Sequence, residues 1–370
     1  MKKFDKDRLI LGLAAPVLAI VAAFVLTALV LLATGKEPFH AFNVMFDKGL
    51  TSDSQVFILN KATPYYLAGI AVAIGFRMNL FNIGVDGQYR LAAFFAAVVG
   101  GAVNLPAIVQ IPLIILTAVL VGAMWAGIAG LLKVTRGVSE VITTIMLNAI
   151  ATAVIGYFMI PGRLAQLHAD TNSVSTKELP SSGHFFGFDM GTDGTIWGFI
   201  VVAALIGVLY WFGLSRTRFG FDLQTVGRSE SAAEASGVDV KRMVITSMLL
   251  SGGIAGLVGM PVLLNDAHQY STEFPAGIGF TGIAVALLGR NHPIGIALAA
   301  LLWGWLEIAS SKLEFEDYDK EIVGVMQGII VLCVVVAYEV VRRYGIRRQQ
   351  QKVGEELAAQ ARNAQQEVAA

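Results

Sequence analysis

The chain has 370 residues, of which 55% are apolar and only 15% charged, against about 25% charged in average soluble domains. This excludes most soluble enzymes, disordered chains and collagen-like fibres. A single cysteine excludes a disulfide framework and a cysteine-based zinc cluster, and 27 basic against 27 acidic residues leave no net field for nucleic acid. What remains is an all-α integral membrane protein.

A helix needs roughly 20 apolar residues to cross the hydrocarbon core. Residues 9–33 form one such run, 25 residues without a charge. It exceeds the about 7–15-residue apolar core of a signal peptide, so it is expected to remain as a span, kinked at Pro16. Residues 34–60 read as a long polar loop outside. Residues 64–75 and 91–103 are short apolar stretches split by the polar segment 76–90, and read as a broken helix pair. Full spans follow at 110–132, 141–160, 195–214, 243–264 and 322–341, with a short pair at 276–288 and 293–309. Between 141–160 and 195–214, residues 161–193 read as an outside loop with a short hairpin.

The sum is ten spans with both termini inside. Inside segments then carry 20 Lys and Arg residues and outside segments 7, which supports the orientation. The acidic stretch 314–319 reads as a solvated outside cap. Residues 1–348 form one membrane domain, and 349–370 a helical or disordered cytoplasmic tail.

The inside loop 215–242 is patterned. Ser229 suits a helix N-cap, Glu230 the positive end of the helix dipole, and Gly237 the left-handed position after the last turn. A helix of two turns is not stable alone in water. It needs a surface, either its own membrane domain or a soluble partner.

Polar residues inside the spans are costly and face the bundle or a wet cavity. Glu140, Thr144, Asn148 and Thr152 recur every fourth residue and make one stripe down a helix. Asn148 serves either an interhelical hydrogen bond or a pathway. Asn79, Asn82, Asp86, Gln88 and Arg90 cluster with Gly84 and Gly87. That segment is either a tight inside turn or an unwound stretch lining a cavity, as in transporter binding sites. Gly252 and Gly256 form a G-x-x-x-G pair suited to close helix packing, with Gly259 on the same side. Cys333 reads as an inert buried thiol. Asp86 and Glu307 are the candidate intramembrane carboxylates, and their sparseness argues against a proton-coupled carrier.

No G-x-x-x-x-G-K-[ST] nucleotide loop and no Gly-x-Ser-x-Gly elbow occurs, and the five histidines lack metal-ligand spacing. A possible wet pathway without a fuel site points to a transporter that borrows its energy.

Four segments carry a resemblance: GFRMNLFNIGVDGQ (75–88), RGVSEVITTIMLNAIA (136–151), TVGRSESAAEASGVDVKRMVITSMLLSGGIAGLVG (225–259) and GFTGIAVALLGRNHPIG (279–295). The chain resembles permease subunits of bacterial ABC importers, in the family of ribose and branched-chain amino-acid permeases, and within it the nucleoside branch. Asp86 stands where the family often has Glu. The resemblance implies a multi-pass subunit of the bacterial cytoplasmic membrane that is not itself an enzyme. It implies a second permease, alike or different, ATPase subunits that hold ATP and Mg, and an extracytoplasmic binding protein. Residues Ser229, Glu230, Ala232, Ala233, Glu234 and Gly237 would couple to the ATPase. Phe81, Asn82, Asp86, Gln88, Thr144 and Asn148 are the candidate pathway residues for a neutral substrate. A simple sugar such as ribose is the alternative cargo, and an ion-coupled carrier the alternative class.

Overall fold

The computed structural model describes residues 6–168, 173–316 and 318, with single positions and short runs between 321 and 350. It divides into two units, Met1–Val44 with Leu313–Ala370, and Met45–Lys312. In the first, α1 (Lys6–Ala33) is one long apolar helix. Phe24 packs on Phe42 at 4.8 Å, and the Tyr318 hydroxyl donates to the Glu37 carbonyl at 2.9 Å. Glu316, from the acidic cap, meets His40 at 3.2 Å. The tail beyond residue 350 and nine of the twenty positions of the expected span 322–341 lie outside the described residues.

The expected polar loop 34–60 is helical instead. It holds α2 (Pro38–Gly49), and α3 (Ser52–Arg77) begins twelve residues before the apolar run. Sequence hydropathy misses this start because Ser54, Asn60 and Thr63 are polar, yet all three are buried. Asn60 has partners there: its amide donates to the Thr195 carbonyl at 2.9 Å and accepts from the Trp197 N–H at 2.8 Å. Helix α3 is buried nearly all round, as expected of a central helix. It packs on α10 (Val240–Gly256), α12 (Ile278–Leu288), α13 (Pro293–Ser310) and α7 (Phe199–Arg216).

Six helices among the described residues are long and apolar enough to cross a membrane. These are α3, α5 (Ala107–Arg136), α6 (Glu140–Phe158), α7, the α10 region through Ala267, and the α13 region. Helix α4 (Val85–Ala102) is more polar and α12 is short, although both are helical where spans are expected. Past Gly256 the α10 region turns, then continues as α11 (Met260–Val262) and a π-helical turn over Leu263–Ala267.

Helix α5 buries a single row at every fourth residue: Gln110, Ile114, Ala118, Gly122, Ala126 and Gly130. That is one face of a helix. Gln110 and Ile114 lie against Gly100 of α4, and the row from Ala118 to Gly130 lies on α10. A Cβ on Gly122 would meet the Gly252 carbonyl and the Gly256 backbone, and one on Gly256 would meet the Ala118 carbonyl. The G-x-x-x-G reading therefore holds: small residues let the two backbones touch. Leu116, Leu120 and Met124 of α5 point outward with Val201, Leu205 and Val208 of α7. A large exposed apolar surface of this kind suits lipid contact.

Loop 161–193, with the residues up to Trp197, forms two antiparallel hairpins, so the protein is not purely helical. Strands β1 (Gln166–His168) and β2 (Ser173–Ser175) pair, as do β3 (Gly187–Asp189) and β4 (Thr195–Trp197). Strand β4 displaces the expected start of a span from 195 to Phe199, because it pairs with β3 and Asn60 holds it at Thr195 and Trp197. The loop lies along residues 268–272 through Thr176 N–H to Tyr270 O (2.9 Å) and Leu179 N–H to His268 O (2.8 Å). There the His184 and His268 rings stack at 3.6 Å. Burial, then the neighbouring His184, hold the His268 pKa below the ordinary histidine value.

Candidate functional site

Two features separate in sequence meet in space. The polar stripe of α6 lies in step along residues 81–90. The Phe81 N–H donates to Glu140 Oε1 at 3.4 Å. Thr144 lies against Gly84, where an added Cβ would come within 3.0 Å of it. Asn148 Nδ2 donates to the Ile83 carbonyl at 3.0 Å, and its Oδ1 accepts from the Gly87 N–H at 2.9 Å. Arg90 Nη1 donates to Thr152 Oγ1 at 3.2 Å. Gly87 is required here, since a Cβ would press on Asn148 itself.

The break between α3 and α4 spans only residues 78–84, narrower than the sequence suggests. Asp86, Gly87, Gln88 and Arg90 already belong to α4. Asn82 forms the turn by accepting from the Gly84 N–H at 3.1 Å. Its amide exchanges two hydrogen bonds with Gln88, at 3.0 and 2.9 Å, and donates to Ser251 Oγ at 2.8 Å. All four hydrogen-bonding positions of Asn82 are thus occupied. Asn82, Gln88, Thr144 and Ser251 are wholly buried. Ser251, which in turn donates to the Ala71 carbonyl at 2.7 Å, is the member the sequence does not single out. A lone hydroxyl beside the glycine pair is its only trace.

Asp86 caps another helix. Its Oδ1 accepts from Gly277 N–H at 2.8 Å and Gly279 N–H at 3.4 Å, at the start of α12. A carboxylate at a helix N-terminus complements the dipole. Gly277 has φ +86°, and any side chain on Gly279 would collide with Asp86. Glu307 is paired with Lys61 at 3.0 Å and accepts from the Tyr65 hydroxyl. Glu140 is held by Lys133 at 2.7 Å. All three carboxylates have structural partners. Phe81, in contrast, is 45% exposed beside Phe76. Among the described residues no group of three His, Cys, Asp or Glu is arranged to hold a metal.

On the loop 215–242, α8 (Arg218–Arg228) precedes α9 (Glu230–Ala235). Ser229 Oγ accepts from the Ala232 N–H at 3.3 Å, as its N-cap role requires. Gly237 adopts φ +80° and closes the helix through its N–H to Glu234 O and Val238 N–H to Ala233 O. Ala233 is buried on the chain's own surface, whereas Glu230, Ser231, Ala232, Glu234 and Ala235 are exposed. One side chain seats the helix, and the rest of α9 faces outward.

Spanning helices joined by a polar clasp, with an outward-facing short helix on one loop, define a multi-pass membrane protein of transporter type. Residues 54–335 match the family described as branched-chain amino acid transport system / permease component. The guanosine ABC transporter permease protein NupP of Bacillus subtilis (strain 168) is 34% identical, over 88% of this chain and 93% of its own. The nucleoside ABC transporter permease protein NupB of Lactococcus lactis subsp. cremoris (strain MG1363) is 32% identical over 87% and 90%. The glucose ABC transporter permease protein TsgB13 of Haloferax volcanii is 30% identical over 90% and 89%. The chain belongs to the branched-chain amino acid transport system / permease component family. It is a transport subunit and not an enzyme.

Proposed function

We propose that this chain is a permease subunit of an ATP-driven importer that carries nucleosides into the cytoplasm. The observation that carries the cargo is its likeness, over nearly the full length, to permeases named for guanosine and for nucleosides. In this proposal ten spans cross the bacterial cytoplasmic membrane with both termini inside. A second permease, alike or different, completes the pathway. ATPase subunits hold ATP and Mg, and a binding protein delivers the substrate. Residues 1–348 act as one membrane domain, with 349–370 as a cytoplasmic tail.

The clasp forms one wall of the pathway. Phe81 offers an exposed ring to a base or sugar face. Asn82, Gln88, Thr144 and Asn148 stand behind it and hold the turn between α3 and α4, while Asp86 ties α4 to the start of α12. A neutral nucleoside needs neutral donors, acceptors and ring contacts, not a charge clamp. Uptake of labelled guanosine, uridine, ribose and glucose, with and without the chain, tests the cargo. Loss of sugar uptake with nucleoside uptake intact would replace the nucleoside by a sugar.

Helix α9, with Ser229 and Gly237 as its caps, seats in a groove of the ATPase. Ala232→Asp changes only the outward face and is expected to abolish substrate-stimulated ATPase activity in the reconstituted complex. Ala233→Asp is expected to destabilise the permease as well, since it buries an unpaired charge on the chain's own surface. Normal stimulation in the Ala232→Asp complex would reject this docking.

A further inference from the structure

Two adjoining cavities on the flank of the second unit share no lining residue with the polar clasp. The larger is an apolar groove of 650 Å³ between α3, α7 and α13, with Tyr66, Ala204, Gly207, Ala297 and Leu301 among its walls. It follows α7 from Ile200 to Trp211, about 17 Å at 1.5 Å per residue. The hydrocarbon of one leaflet is about 15 Å deep, half of a roughly 30 Å core.

At Trp211, His292 and Pro293 the groove meets a second cavity of 490 Å³, lined also by Arg77, Gln224, Thr225 and Arg228. None of the described residues lining it is acidic. Arg77 donates from Nη2 to the Asn291 carbonyl at 2.8 Å, but its Nε is buried without a partner. A buried donor of this kind calls for an acceptor. Trp211, which lines both cavities, is exposed where they adjoin, and tryptophan is a side chain enriched at a membrane interface.

We propose that this composite cavity binds a glycerophospholipid with an anionic headgroup, one acyl chain in the groove and the phosphate at Arg77 and Arg228. The two cavities complement the two halves of one amphipathic molecule. A soluble anion would leave the groove unfilled. A zwitterionic lipid would bring the same phosphate but set its quaternary ammonium beside two arginines, with no acidic residue among the described lining to receive it. The site requires only that the chain spans a membrane, and is independent of the cargo and of the ATPase.

The full-length chain, purified in detergent and stripped of lipid, is titrated with phosphatidylglycerol and phosphatidylcholine, and bound lipid is counted by native mass spectrometry. Phosphatidylglycerol is expected to bind more tightly by about fivefold or more, the effect of a single basic side chain near an anionic lipid. Arg228→Ala should lower that preference by a similar factor. Ala204→Trp, which fills the groove from an exposed position, should weaken both lipids. A phosphatidylglycerol with a photoreactive acyl chain should label α7 or α13. Equal binding of the two lipids, or variants without effect, would overturn the proposal. So would displacement of phosphatidylglycerol by inorganic phosphate with Ala204→Trp silent, which would make the polar cavity a simple anion site. Labelling of neither helix, with Ala204→Trp blocking assembly with a second permease, would assign the groove to a protein and also overturn it.

Discussion

Where α5 crosses α10, backbone meets backbone at Gly122, Gly252 and Gly256. Where α6 meets α4 and the turn before it, contact runs through side chains: Glu140, Asn148 and Thr152 reach Phe81, Ile83, Gly87 and Arg90. The first seam is close-packed and has one solution, since no side chain is available to yield. The second is built of discrete hydrogen bonds that can be exchanged for others. In the proposed transport cycle, in which helices tilt, both kinds would serve. The glycine seam would keep α5 and α10 as one body, and the clasp would give the exposed α6 a contact that can be remade.

The largest effect is expected from Gly256→Leu. The colliding atom is the Ala118 backbone carbonyl, which cannot move aside. Overpacking costs about 1–3 kcal/mol even where side chains adjust, and more is expected here. Loss of monodisperse protein on size-exclusion chromatography in detergent is the readout, and a wild-type profile would show that the seam yields.

Next comes Asn148→Leu. It leaves the Ile83 carbonyl and the Gly87 N–H without partners, at about 1–3 kcal/mol for unsatisfied buried groups. The variant should fold, melt at a lower temperature in detergent, and lose transport more than it loses stability. Equal losses in both would make the clasp a purely structural contact.

A smaller effect, of opposite sign, is expected from Gly156→Ala on the same helix. Nothing lies within 4 Å of an added Cβ there, and alanine favours helix over glycine by about 1 kcal/mol. A raised melting temperature would confirm that Gly156, the one glycine of α6, carries no contact.

The smallest effect concerns pH. The amides of the clasp do not titrate, and neither does the glycine seam. His268 does. Burial and His184 lower its pKa in the fold, so the unfolded chain binds its proton more readily. The stability this contributes is present above the ordinary histidine pKa and is lost as pH falls through the folded value. The melting temperature should therefore drop by at most a few degrees between about pH 7 and pH 5. His268→Asn, which tolerates the positive φ of 51° at that position, should flatten the slope. An unchanged slope would place the acid-sensitive group elsewhere.

Much of the molecule was legible as a string of residues. Apolar runs located α5, α6, α7, α10, α12 and α13, since hydropathy over 20 residues is a local property. Ser229 and Gly237 marked the ends of α9 because capping acts within four residues. The period of four in Glu140, Thr144, Asn148 and Thr152 placed them on one face. The start of α3 was not legible, because Ser54, Asn60 and Thr63 look like loop residues until β4 satisfies Asn60. The width of the break before α4 was also hidden, because Asp86 and Gly87 resemble turn residues when their partners are unknown.

By itself, then, the sequence determined that this is a helical membrane protein, where most of its spans run, and that Asn82, Asp86, Gln88 and Thr144 are polar residues facing the bundle. The tertiary structure alone decided what those residues hold. Asp86 caps a helix 191 residues further along the chain, and Asn82 reaches Ser251 across 169. Periodicity and capping are short-range and written in neighbouring residues. The partner of a buried polar group is set by which helices pack together, and helix packing depends on the whole chain at once.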